Sequence, residues 1–453
     1  DSAELTKTFS SAGNQKTWTF SCWIKRSGIS GSTSYSILEA GHGTTPWFVF
    51  AIINDKIQVG ATAGSTSSWE ATSVLRDSSA WYHIVLVVDT TSSTSSISNG
   101  STDRFRVYVN NVQQTLSGGT VPSLNADLQW NGTAGQHMFG ASYGQFFDGY
   151  ACEVAFIDGQ ALSPSSFGEY DEDSPTIWKP KNISTLTFGT NGFYLDFEDS
   201  SSLGNDISGN NHDWTVANLA STDQSTDTCT NNFATLNPLN VPTSNAPTFS
   251  EGNLISSTSD SAQFGGTSTI GVSSGKWYAE FKSAETGGEE KEMVGVTHAP
   301  GEDARSGDNV GRTAESFAIR FLDGQQSNNN SASAYGSAFS VGDICQVALD
   351  IDNNNLYFGK NGQWGDGSGN FNQSTPTSAI TIPTIANTTE GAYFFSVGDI
   401  SSSSGRSLIS CNFGSPPFSI SSGNADANGH GNFEYAPPSG YFSLCTKNLA
   451  ESG

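Results

Sequence analysis

Basic residues are scarce in this chain of 453 residues: 19 Lys and Arg stand against 44 Asp and Glu, a formal net charge of -25. Nucleic-acid binding rests on cationic neutralisation of phosphates, and an anionic membrane surface asks for the same charge, so neither partner fits. The balance suits an exposed protein kept soluble by self-repulsion, and an acidic surface also collects divalent cations. Cysteine is sparse and scattered, at 22, 152, 229, 345, 411 and 445, with no CxxC pair. That excludes a zinc framework and a dense disulfide scaffold, and leaves buried thiols as the expected state. No apolar run reaches membrane-spanning length, and no signal-peptide pattern opens the sequence. Asp1 in place of Met reads as a start that is processed or lies further upstream. Sustained apolar spacing at i, i+3, i+4, i+7 is also missing, which removes helical bundles.

What is present is short alternation, interrupted by Gly, Asn, Asp and Ser clusters, and this predicts an all-β protein of two antiparallel β-sandwiches. In TWTFSCWIKR, Trp18, Phe20, Cys22 and Ile24 share one face. AWYHIVLVVD, residues 80–89, is apolar enough to lie centrally in a sheet, and RVYVNNV predicts a hairpin with an Asn-Asn turn. The stretch 193–219 starts as a strand, with Phe193, Leu195 and Phe197 alternating. It turns through Asp, Ser, Gly and Asn, ends on Trp214 and Val216, and is read as completing the first domain. Residues 221–249 have linker composition, with Phe233 and Leu236 as the residues able to anchor part of it. From 250 a second series of strands begins with GKWYAEF and closes near 413. The expected organisation is a first sandwich over 1–220, a linker over 221–249, a second sandwich over 250–420 and an ordered C-terminal tail over 421–453.

TWTFSCWIKR, WYHIVLVVD, RVYVNNV and EVAFIDGQALSPSSFG occur in the order and spacing of a laminin-G-like, concanavalin-type jelly roll, which residues 1–170 resemble. YLDFED followed by DISGNNHDWT resembles the opening of such a domain, placed here after the sandwich. GKWYAE, VGV, GDICQVALDIDNNNLYFGKNG and NFGSPPF resemble an SPRY domain over about 255–420. The pair in this order resembles structural proteins of marine bacteriophage particles. The resemblance implies a non-enzymatic tail-fibre, capsid-fibre or decoration component on the virion surface. Its partners would be other virion proteins and a host-surface glycan or protein, with homo-oligomeric assembly and no membrane insertion. The competing reading is a secreted polysaccharide-binding module or a glycoside hydrolase of the concanavalin-like type.

A retaining glycosidase needs two carboxylates about 5–5.5 Å apart. Glu153 and Asp158 are five positions apart on opposite strand faces, and Glu169, Asp171, Glu172 and Asp173 read as a solvated acidic loop. No catalytic pair stands out, and the sequence has no G-x-x-x-x-G-K-[ST] phosphate-binding loop. His83, between Trp81 and Val85 on one face, reads as a packing residue. No cofactor is expected except calcium, whose candidate ligands are Asp199, Asp206, Asn210 and Asp213 in one turn-rich segment. Trp47, Trp69, Trp130, Tyr143 and Trp364 lie near loops or strand ends, where an aromatic face either packs at the sandwich edge or binds a sugar or partner.

Overall fold

The computed structural model describes residues 2–29, 33–41, 47–60, 68–94, 103–142, 144–258, 264–284, 291–400 and 407–452. The chain divides into two compact units, Asp1–Gln224 and Ser225–Gly453, and is nearly all-β.

In the first unit an eight-stranded antiparallel sheet has the order Leu116–Gly118, Ser68–Ala71, Lys56–Gly60, Phe48–Ile53, Ser34–Ala40, His137–Phe139, Glu4–Lys7, Thr215–Ala217. A six-stranded antiparallel sheet packs against it: Phe193–Leu195, Gly149–Asp158, Thr17–Arg26, Trp81–Asp89, Phe105–Val109, Val112–Gln113. Alternation decides what lies between them. Trp18, Phe20, Cys22 and Ile24 enter one core with Ile84, Leu86, Val88, Phe105 and Val107, and meet Phe48, Phe50 and Ile52 of the facing sheet. Burying each such side chain contributes about 1.5–3 kcal/mol. Hairpins close through paired residues of positive φ, Asn54 and Asp55 (53° and 61°) and Asn110 and Asn111 (47° and 67°). That is the signature of the tight turn whose twist matches the strands.

Trp81–Asp89 is buried on both faces, as its unbroken apolar run predicts. Val85 and Val87 leave the main core for a second cluster with Ala155, Ile157, Phe167, Ile183 and Phe188. The connection after Asp158 therefore covers the outer face of the six-stranded sheet.

The stretch 193–219 belongs to the first unit and supplies an edge strand to each sheet. Phe193–Leu195 pairs with Gly149–Asp158, and Thr215–Ala217 pairs with Glu4–Lys7. Phe193, Leu195 and Trp214 enter the common core, with the Phe193 and Trp214 rings 4.9 Å apart. One continuous segment thus covers an edge of both layers, the positions where a sheet would otherwise offer unpaired backbone.

In the second unit a mixed sheet has the order Thr248–Ser250, Ile255–Ser257, Leu408–Asn412, Lys276–Ser283, Ile344–Asp350, Asn355–Lys360, Gln363–Gly365, Phe371–Gln373. It packs on a six-stranded sheet of Phe264–Thr267, Phe394–Asp399, Glu292–Thr297, Ser316–Arg320, Gln325–Asn328 and Ser331–Ala334. Trp277, Phe281, Val294, Val296, Val347 and Phe395 form the shared core.

The linker expected over 221–249 is corrected here. Ala234 and Leu236 are fully buried in the second core, and Phe233 forms a bridge with Cys445. The Ala234 amide donates to Leu444 O at 3.0 Å, and the Thr446 amide donates to Asn232 O at 2.9 Å. Phe233 and Leu236 are the anchors, and the polar composition around them hid the rest, because isolated bridges to distant strands satisfy the backbone without a periodic pattern. The segment after 420 also packs on this unit: Phe433, Tyr441 and Leu444 are buried, and Phe442–Ser443 runs parallel to Trp277–Tyr278.

Truncating Trp214 to Ala is expected to destabilise the first unit by about 3–5 kcal/mol, since it empties a buried indole site. Urea unfolding followed by tryptophan fluorescence would measure it; a loss below 1 kcal/mol would show that the segment does not hold the edges.

Candidate functional site

The carboxylates considered for catalysis belong to separate networks. Asp158 accepts from the Asn14 amide (2.7 Å) and Asn131 Nδ2 (2.7 Å) through Oδ1, and from the Asn191 amide (3.0 Å) through Oδ2. Asn191 Nδ2 in turn donates to Asn131 Oδ1 at 2.8 Å. Gly13 lies so close that an added Cβ would sit 2.4 Å from both Asn131 and Asp158 side chains, so only glycine fits. Glu153 occupies a bulge at φ 53° and accepts from the Tyr194 hydroxyl, its carboxyl raised by burial. Asp171 is held by Lys179 Nζ at 2.9 Å and by the amides of Asp173 and Ser174.

The four calcium candidates share one loop but are used as anchors within it. Asp199 accepts from the Ser201 amide and hydroxyl. Asp206, buried, accepts from the amides of Tyr194, Ser208 and His212 and from the Ser208 hydroxyl, all at 2.8–2.9 Å. Asp213 Oδ1 accepts from the Asp206 amide, and Asn210 Nδ2 donates to the carbonyls of Gly189 and Gly192. The donors around Asp206 point at the lone pairs a cation would need. Among the described residues no group of three or more His, Cys, Asp or Glu is placed to hold a metal ion. Asp206→Ala is expected to lower stability by about 3 kcal/mol through its orphaned donors. A melting temperature that fell on adding EDTA to the wild-type chain would instead assign the loop to calcium.

Three of the aromatic candidates are corrected. Trp69, Trp130 and Trp364 are 2%, 0% and 4% exposed. Trp130 packs among Phe48, His137 and Phe156, and Trp364 among Tyr278, Phe433 and Tyr441. Proximity to a strand end in sequence does not say which face an indole takes, and here burial wins. Trp47 is half-buried. Tyr143 lies outside the described residues.

An aromatic column on the outer face of the six-stranded sheet was not anticipated. His83 is fully buried and stacks on Trp23 at 4.7 Å and 17°, and on Trp178 at 6.0 Å and 27°. Trp178 Nε1–H donates to His83 Nδ1 at 2.9 Å, so the imidazole proton sits on Nε2, 2.8 Å from Ser21 Oγ. Burial lowers the His83 pKa to about 3, so the ring stays neutral. Trp178 lies opposite Tyr170 in the hairpin Gly168–Tyr170/Trp178–Pro180, and the two rings meet edge to face at 5.0 Å. Tyr170, the outer end of the column, is 47% exposed. Only the alternation of Trp23 and His83 on paired strands could have signalled it.

Buried acids also organise the second unit. Glu280 accepts from the amides of Glu434 (3.0 Å) and Tyr435 (2.7 Å), from Tyr278 Oη (3.0 Å) and from Asn412 Nδ2 (3.2 Å). Burial outweighs these donors and raises its pKa to about 7. Because the folded value exceeds the ordinary one, its contribution to stability is complete below about pH 4.5 and is lost as pH rises through about 7. Glu280→Gln is expected to flatten the stability–pH profile over that window. An unchanged slope in denaturant titrations at pH 5, 6, 7 and 8 would reject the assignment.

Residues 1–166 match the family model described as the concanavalin A-like lectin/glucanases superfamily, and residues 276–380 match the SPRY domain model. No curated protein matches the chain. Among solved structures, the SPRY domain of human HERC1 is similar at 22% identity, covering 36% of this chain and 91% of that one with a TM-score of 0.28. A proposed carbohydrate binding protein from Bacteroides ovatus is similar at 16% identity, covering 48% of this chain and 59% of that one with a TM-score of 0.31. Stonustoxin is similar at 20% identity, covering 40% of this chain and 27% of that one with a TM-score of 0.28.

Proposed function

From a chain that carries a concanavalin-like domain followed by an SPRY domain, we propose a non-enzymatic binding protein displayed on the surface of a bacteriophage particle. Its work is attachment to a host-surface glycan or protein. The observation that carries the non-catalytic part is the use of Asp158 and Glu153, the pair of carboxylates the first-domain sequence offers, as acceptors in separate networks of the fold itself. A glycosidase needs one acid free to protonate a leaving group and a second placed against the sugar ring. The strong excess of acidic residues supports an exposed setting rather than one among nucleic acids. Rigid sandwiches that carry long polar loops are suited to recognition at those loops.

The full chain is expected to bind host-surface glycans or proteins on an array, to release no reducing ends from the same polysaccharides, and to be labelled by antibody on intact particles. Reducing ends released in proportion to enzyme concentration would sink the non-catalytic reading. Particles that never label while the soluble chain binds host cells would sink the virion placement alone.

A further inference from the structure

We propose that Tyr170, with Trp178 behind it and Asn111 beside it, forms a stacking subsite for a neutral pyranose of a surface glycan. The inference rests on the binding reading above and names where the sugar sits.

Tyr170 is no ordinary surface side chain. Its backbone is paired with Trp178 in a hairpin, its ring rests against the Trp178 indole, and that indole is pinned by its Nε1–H bond to a buried histidine. Four rings, Trp23, His83, Trp178 and Tyr170, run in sequence from a buried strand to solvent. A ring held this way loses little freedom when a ligand lands on it, which removes part of the usual ordering cost. The apolar face of a pyranose stacks on such a ring, while amides at its edge take the hydroxyls. Asn111 supplies that amide: its Nδ2 lies 3.5 Å from Tyr170 Oη, at the tip of the turn fixed by Asn110 and Asn111.

Charge selects among ligands. The same hairpin carries Glu169, Asp171, Glu172 and Asp173, and Lys179 is already bonded to Asp171 at 2.9 Å. The local field is negative. It repels uronates and sulfated sugars, and its carboxylates accept hydroxyl protons from an uncharged sugar.

The test uses the full chain against immobilised neutral glucan, galactan and mannan oligosaccharides, a sulfated polysaccharide and poly-lysine. Wild type is expected to bind at least one neutral glycan and to prefer it to the other two probes. Tyr170→Ala should weaken that binding by roughly tenfold or more, the loss of one stacked ring and its ordering, while Tyr170→Phe keeps most of it. Asn111→Gly, which keeps the positive-φ turn and removes the edge amide, should weaken it as well while the Tyr170–Trp178 hairpin stays paired. Wild-type binding that survives both Tyr170→Ala and Asn111→Gly would overturn this subsite and leave the binding reading standing. Preference for the sulfated probe or poly-lysine would overturn the proposed ligand. Binding to a host-surface protein with none to any neutral glycan would overturn the subsite while the attachment reading stood. Absence of binding to glycans and host surfaces alike would overturn both.

Discussion

Carboxylates held by N–H and O–H donors, rather than by cations, are the interaction on which both units depend. A chain with more than twice as many acids as bases cannot pair every acid with a Lys or Arg. Asp158 joins the segments around Asn14, Asn131 and Asn191. Asp206 shapes the loop that crosses from one sheet edge to the other. Asp426 accepts from the amides of Asn428, His430 and Ser443, from the Ser443 hydroxyl and from Asn448 Nδ2. Charge-assisted bonds of this kind are stronger than neutral ones, and buried ones are little screened by salt. The Asp55 carboxylate, bonded to Arg26 at 3.0 Å and Arg76 at 2.7 Å, represents the other solution in the same fold.

The architecture was legible because strand alternation is a local signal. Phe105, Val107 and Val109 face inward as their spacing predicts, and the Asn-Asn pair that follows turns the chain with two positive φ values. The DISGN loop was legible as a shaped turn because Asp, Ser, Gly and Asn each bond or bend their own backbone. The segment around Phe233 was legible only as two apolar anchors, Phe233 and Leu236, since its partners lie more than 30 residues away at Ser268 and Cys445 and it repeats no period. Trp130 and Trp364 were left open between packing and binding for a related reason. A single indole at the end of a strand carries no phase of its own, so its face is decided by packing alone.

The exposed end of the aromatic column was the least legible feature of all. Tyr170 and Trp178 sit in a stretch of Glu, Asp, Ser and Pro that reads as a solvated loop. The hairpin gains its order from contacts beneath it: the Trp178 indole on His83, and Phe167 in the cluster with Val85 and Val87. Binding surfaces built in this way escape sequence patterns, because the residues that make them rigid belong to distant strands. The same arrangement separates the two demands on the first unit. Its acids hold the chain together, and its outermost ring is left available.

The pairing of residues near 232–234 with residues near 444–446 has one more consequence. The second unit takes in its chain and lets it out at neighbouring points. Such a unit behaves as a cassette: spliced into a surface loop of another polypeptide, it would not force the loop ends apart. Recombination between genes could therefore move it as a block, and its host would need no repacking to receive it.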